Sequence, residues 1–314
     1  MPENRQYIEQ PYFSIVTPSY NREKLLYRLY KSLCEQQFSD MEWVVIDDGS
    51  TDGTKRMIEG LQAHSPFPII YRYQSNGGKN RAINHALKVA TGYFFVDIDS
   101  DDYFLPRSLE KYKAIWEGLS PEEQATLGGM VADCVHTDGR IVGRPFPEDK
   151  IVTNAIKLRS QLKVRGDKLY LYKLGVIKDR PTPEFDGESY MHPTVRHRRI
   201  AQDYSLLATT FAGRVKDYQV DGLSADIPGQ IPKSLQNPQG YRLHAREAVD
   251  FGAKENLLEI WKECINYSRF SLHCGDGFGA QIRSIDRKGV FLCSFLFGLL
   301  RYCKDRIVYP SAVQ

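Results

Sequence analysis

From Tyr12 to Thr17 the chain reads YFSIVT, a β-rich run that Pro18-Ser19-Tyr20-Asn21 breaks before the helical spacing of REKLLYRLYKSLCEQQ takes over. The pattern recurs. A continuous apolar stretch from Trp43 to Ile46 ends in Asp47-Asp48-Gly49-Ser50-Thr51-Asp52-Gly53 and is followed by the helical TKRMIEGLQAH. IIYRY (69–73) leads through Asn76-Gly77-Gly78 into KNRAINHALKVA, and YFFVDI (93–98) runs into a cluster of acids. Strands alternating with helices at this spacing predict parallel β-α-β units with helices on both sheet faces. The first 105 or so residues are therefore expected to form a Rossmann-like half of an α/β fold.

After Pro106 the pattern loosens. A helix is predicted over 107–117, then short strand-like pieces around MVADCVH and RIVG, then polar segments with several Gly and Pro. Helical periodicity returns over 246–272, and 287–306 combines apolar and aromatic residues with basic flanks. In a 314-residue chain, 42% hydrophobic and 26% charged residues exclude a disordered or collagen-like chain. A net charge of +3 is too small to argue for a nucleic-acid partner. The six cysteines include no CxxC pair and no zinc-finger spacing, and the histidines form no compact ligand set. The N-terminus lacks the pattern of a secretory signal, and the longest apolar stretch, Val290–Leu300, is far short of the roughly 20 residues of a membrane span. A cytoplasmic location is expected.

In open parallel sheets, ligands bind beyond the carboxyl ends of the strands. Three polar loops should converge there: Thr17–Asn21, Asp47–Ser50 and Asp99–Asp102. No GxGxxG or Walker A sequence is present, which disfavours a dinucleotide oxidoreductase or a P-loop NTPase. Asp99-Ser100-Asp101 sets two carboxylates at alternate positions at a strand exit, an arrangement suited to a hard divalent ion such as Mg²⁺ or Mn²⁺. The competing reading of DSDD is a cap for the next helix.

The segments FSIVTPSYNRE (13–23), VVIDDGSTDGT (44–54), NGGKNRAINHAL (76–87) and FFVDIDSDDYFLP (94–106) together resemble the family 2 glycosyltransferases of the GT-A fold. PEFDGESYMHPTVRHRRIAQDYSLL (183–207) and DGLSAD (221–226) resemble the acceptor side of a bacterial branch that builds surface polysaccharide. The resemblance implies a GT-A domain over 1–235, with a nucleotide-sugar half at 12–105 and an acceptor-side half with mixed sheet at 106–235. A C-terminal helical region, 236–314, would follow.

The same resemblance implies site residues. Thr17, Pro18 and Tyr20 would line the nucleotide pocket, and Asp48 would bind the base or ribose. Lys79 would approach the nucleotide or its phosphates, the latter favoured by the mild misfit of a cation at a helix start. Asp99 and Asp101 would form the DxD motif for Mn²⁺ or Mg²⁺, with Asp99 also a candidate ribose ligand. Glu188 stands where the catalytic base is expected. Many relatives carry Glu-Asp there, whereas Ser189 follows here, which leaves Asp186 in reserve. Asp97 falls where an apolar strand residue is more usual.

The implied reaction is inverting transfer from an NDP-sugar, a UDP-sugar first, to a glycan or polyprenyl-linked acceptor. A sugar-phosphate nucleotidyltransferase or an inactive carbohydrate-binding scaffold are the rivals. Arg196 and HRR (197–199) read as a phosphate contact or a charged helix face. The segment 287–306 reads either as an anchor on the cytoplasmic face of the inner membrane or as a helix packed on the fold or a partner subunit.

Overall fold

The computed structural model describes residues 10–219, 231–252 and 256–310, so DGLSAD (221–226) lies outside the described residues. The chain divides into two compact units, one of residues 1–154, 162–181 and 204–219, the other of 155–161, 182–203 and 220–314.

The first unit begins with β1 (Phe13–Ser19), α1 (Glu23–Cys34), β2 (Met41–Asp47), α2 (Thr54–Gln62), β3 (Ile69–Tyr73), α3 (Lys79–Val89) and β4 (Phe94–Asp97). It continues through β5 (Tyr103–Phe104), α4 (Ser108–Glu117), α5 (Pro121–Thr126), β6 (Leu127–His136) and β7 (Ile151–Thr153). Next in the chain is α6 (Ala155–Ser160) of the second unit, then β8 (Leu169–Lys173) and α7 (Leu174–Lys178) of the first. The chain then gives α8 (Thr194–Ile200) to the second unit and returns with β9 (Ser205–Lys216). The second unit is completed by α9 (Lys233–Gln236), α10 (Pro238–Phe251), α11 (Leu257–His273), α12 (Phe278–Arg283) and α13 (Lys288–Val308).

All nine of these strands join one mixed sheet in the order β3-β2-β1-β4-β8-β6-β9-β5, with β7 also on β9. The first four run parallel, and β8 lies antiparallel to both β4 and β6. Every residue of β2 is buried, as expected of a strand covered on both faces. The core is dense in large side chains: Phe13, Trp43, Phe94 and Trp116 are essentially inaccessible, and Phe94 meets Trp116 edge to face with ring centroids 5.1 Å apart. Because β2 and β4 flank β1 on opposite sides, the strand order reverses there. The loops after β1, β2 and β4 leave the same edge of the sheet at this switch point.

The expected boundaries at 105 and 235 are not where the units divide. Strands β5 to β9 extend the same sheet, whereas 182–203 packs with the C-terminal helices. Arg199 Nε donates to Glu247 of α10 at 2.8 Å, and Arg198 donates to the His244 carbonyl at 3.1 Å. Arg196 is buried. The HRR segment thus holds α8 onto α10. Of the strand-like RIVG, a single bridge from Ile141 to Val135 forms.

The helical stretch read over 246–272 is two helices. Gly252, extended at φ −70° and ψ 177°, ends α10, and Asn256 caps α11 by accepting from the Glu259 amide. Helices α11 and α13 run side by side in the same direction, Trp261 meeting Phe297 and Arg269 pairing with Asp305 at 2.5 Å. A Cβ at Gly298 would stand 2.5 Å from Ser268 Cβ, so the glycine is what lets these helices approach. Among the described residues no helix is long and apolar enough to cross a membrane.

Candidate active site

Asp97 ends β4, in register with Val16 of β1, and the next five residues carry the acidic tip. Oxygens of Asp99, Asp101 and Asp102 lie within 4.8 Å of one another. Three like charges this close need opposing charge, and the structure supplies it from two directions. Lys79, the first residue of α3, pairs with Asp99 Oδ1. Arg214 and Lys216 come from β9, where alternate residues share a face. Lys216 Nζ lies 3.1 Å from Asp99 Oδ2 and 2.9 Å from Asp102 Oδ2. Arg214 Nε donates to Asp102 Oδ2 at 2.8 Å and its terminal nitrogen reaches Asp99 at 3.3 Å.

The three acids are therefore unequal. Asp102 is fully buried, and its second oxygen accepts from the Asp217 amide at 3.2 Å, so its work is structural. For Asp99, burial pushes the pKa up, but Lys79, Lys216 and Arg214 outweigh it and hold the carboxyl well below the ordinary value. Asp101 is pushed the other way, by burial first and then by the charges of Asp99 and Asp102. Among the described residues no ion pair reaches its carboxylate. Arg28 of α1 clamps the tip by donating to the Asp101 carbonyl and to Asp217 at 2.6 Å, with its guanidinium 4.9 Å over the Tyr103 ring.

Asp48 accepts from the Gly77 amide at 2.9 Å, the Gly78 amide at 2.7 Å and Gln74 at 2.8 Å. It thereby holds the loop that delivers Lys79. Gly49, at φ +90°, follows Asp48, and a Cβ there would sit 2.9 Å from the Asn76 nitrogen of that same loop. Thr17 departs from the expected pocket lining. It is fully buried, its hydroxyl accepting from the Trp43 indole at 3.0 Å, so the side chain supports the sheet beneath the loops. Pro18 is partly exposed and Tyr20 exposed.

Glu188 and Asp186 belong to the second unit. Asp186 is exposed. Glu188 accepts from the Gln239 amide at 2.6 Å and the Gly240 amide at 2.8 Å, capping α10, which begins with Pro238. Burial raises its pKa, with those two amides and Arg242 pulling the other way. Asn237 fixes the same loop by accepting from the amides of Ser189 and Tyr190, each at 2.9 Å.

Sequence reasoning missed Arg214 and Lys216. Their signal was an Arg-x-Lys alternation at the end of a strand, legible only once that strand is known to pair with β5, which directly follows the acidic tip.

The profile of the family described as Glycosyl transferase family 2 matches residues 14–120. The poly(ribitol-phosphate) beta-N-acetylglucosaminyltransferase TarS of Staphylococcus aureus is 37% identical over 100 residues, 31% of this chain and 18% of TarS. The chain spans about half, at most, of the length of the first curated relatives it matches. The structure of TarS 1–349 in complex with UDP-GlcNAc matches with a TM-score of 0.61 at 21% identity, covering 96% of this chain and 90% of that one. The mannosyltransferase PcManGT from Pyrobaculum calidifontis, in complex with GDP-Man and Mn²⁺, matches at 0.53 and 18% identity, covering 95% and 88%. The acidic tip after β4 and the glycine loop before α3 thus lie within the stretch, residues 14–120, that matches the glycosyl transferase family 2 profile, and the chain shares the GT-A fold of TarS.

Proposed function

We propose that the chain transfers a sugar from a nucleoside-diphosphate sugar, a UDP-sugar first, to a glycan or polyprenyl-linked acceptor of bacterial surface polysaccharide, inverting the anomeric centre. The observation that carries this reading is Asp101, a carboxylate crowded by Asp99 and Asp102 and lacking the ion pairs that neutralise both. Hard oxygen donors that lie this close fit Mg²⁺ or Mn²⁺. Asp101 is the first ligand and Asp99 the second. A divalent ion bound there would supply Lewis-acid stabilisation to the leaving diphosphate.

The chain's own groups do the rest. Lys79 stands at the first turn of α3, where a cation is disfavoured unless an anion is near, and Asp99 now fills that part. A donor diphosphate would compete for the same ammonium. Asp48 sets the height of the glycine loop under that phosphate, while Pro18 and Tyr20 offer accessible surface to the base. Glu188, with Asp186 in reserve, is the proposed base for the acceptor hydroxyl. Its raised pKa brings it nearer the range in which a carboxylate exchanges protons at neutral pH.

The test is a screen of nucleotide sugars with Mn²⁺ or Mg²⁺, with and without glycan acceptors, scored by the small product. Release of nucleoside diphosphate supports sugar transfer. Pyrophosphate in its place identifies a nucleotidyltransferase, and neither product identifies a binding scaffold.

A further inference from the structure

Helix α13 buries one side against α11 and leaves the other without a partner among the described residues. Phe291, Ser294 and Gly298 are buried, whereas Leu292, Leu296, Leu300 and Ile307 are 53%, 60%, 59% and 80% exposed. At 100° per residue those four side chains fall within an arc of about 80°. Cations bracket the arc. Lys288 and Arg306 project about 40° to one side of it, Lys304 about 40° to the other, and Arg301 beyond Lys304. Phe297, exposed, widens the apolar surface toward Trp261, and Leu257 and Leu258 stand exposed on the first turn of α11.

The charge on this surface has one sign. Asp305, the sole acid of α13, is buried and consumed by Arg269 at 2.5 Å and His273 at 3.0 Å. A second copy seated on this face would bring the four exposed cations against their equals, whereas an anionic surface complements them. Although 21 residues could span a bilayer, cations at 301, 304 and 306 would have to enter the hydrocarbon; lying in the interfacial plane leaves them at headgroup level.

We infer that α13 is an interfacial helix that docks the protein on an anionic phospholipid surface, the leucine stripe entering the acyl boundary and the flanking lysines and arginines meeting phosphate. This does not depend on sugar transfer, so its test uses neither donor nor metal. The full chain is sedimented at low salt with vesicles of phosphatidylcholine alone or mixed with phosphatidylglycerol. Binding is expected to the mixed vesicles and to weaken with salt. Lys304→Gln should weaken it about fivefold, the share of one cation near such a surface. Leu296→Ser with Leu300→Ser should abolish it while leaving the circular dichroism unchanged and the melting curve little changed, because both side chains are mostly exposed. The inference is overturned if the chain ignores mixed vesicles at low salt, if phosphatidylcholine alone binds it equally, or if the double serine variant still sediments. It is equally overturned if that variant instead loses self-association in the ultracentrifuge, which would make a second copy the occupant.

Discussion

Lys216 Nζ lies 3.1 Å from Asp99 Oδ2, so an end of β9 supplies charge to the tip of β4. The same ammonium is 2.9 Å from Asp102, and its side chain is 8% exposed. Burial alone would lower the lysine pKa, but Asp99 and Asp102 more than reverse this and hold it above its ordinary value. The pairing is thus a structural clamp whose removal strands acids in a dry setting.

Lys216→Met should therefore destabilise the first unit. Breaking a buried pair by deleting one partner typically costs 3–5 kcal/mol, and Arg214 stays on Asp102, so a loss of about 3 kcal/mol is expected. Urea denaturation measures it.

Asp101→Asn should behave oppositely. It removes a carboxylate that its neighbours disfavour, so the urea midpoint should hold or rise. Metal-stimulated release of nucleoside diphosphate should fall by about 10²–10³-fold even at saturating Mn²⁺, the value of several kcal/mol of Lewis-acid stabilisation. Equal activity in the variant would remove Asp101 from metal binding.

The contrast between these two residues marks what the sequence could carry. Strands covered on both faces read as continuous apolar runs, so β2, through Trp43–Ile46, and the polar loops at the edge of the sheet were legible from the local pattern. The Asp99–Asp101 pair was legible too, because alternation at a strand exit is local. Lys216 was not: a cation in a strand looks like a solvent-facing residue until β9 is paired with β5, across a sequence gap that no period encodes. Gly252 was hidden within a helical pattern that continues on both sides of it. The 182–203 segment shows no long period of its own, and what organises it is the distant α10, through Glu188, Asn237 and Glu247.

A half-buried histidine pair gives the second unit an acid response. The rings of His192 and His244 lie 4.5 Å apart. Burial first, then Arg159 and Arg198, lowers His192 to about 4; burial, with His192 and the same arginines, lowers His244 to about 2. Both are therefore neutral in the folded protein where an unfolded histidine, near 6.5, begins to charge. Stability is full above about pH 6.5 and declines as pH falls toward about 4, because the unfolded chain takes up the protons first. Urea midpoints measured across that window should fall, and His244→Gln should flatten the slope relative to the parent protein.

Glu188 has two roles to separate, since its carboxylate caps α10 and is also the proposed base. Glu188→Gln keeps one acceptor oxygen for the two amides and loses the charge that favours a helix N-terminus, so a stability loss of about 1 kcal/mol is expected from the cap. A base contributes differently. Its replacement should lower kcat by about 10²–10⁴ and flatten the acidic limb of the pH–rate profile, while donor KM changes little. The same assay on Asp186→Asn tests the reserve candidate, whose exposed side chain predicts no stability change. If Glu188→Gln loses stability but turns over donor at the parental rate with an unaltered profile, the residue is a cap alone, and the base must be sought at Asp186. If both variants keep full turnover, neither acid of this loop takes the acceptor proton.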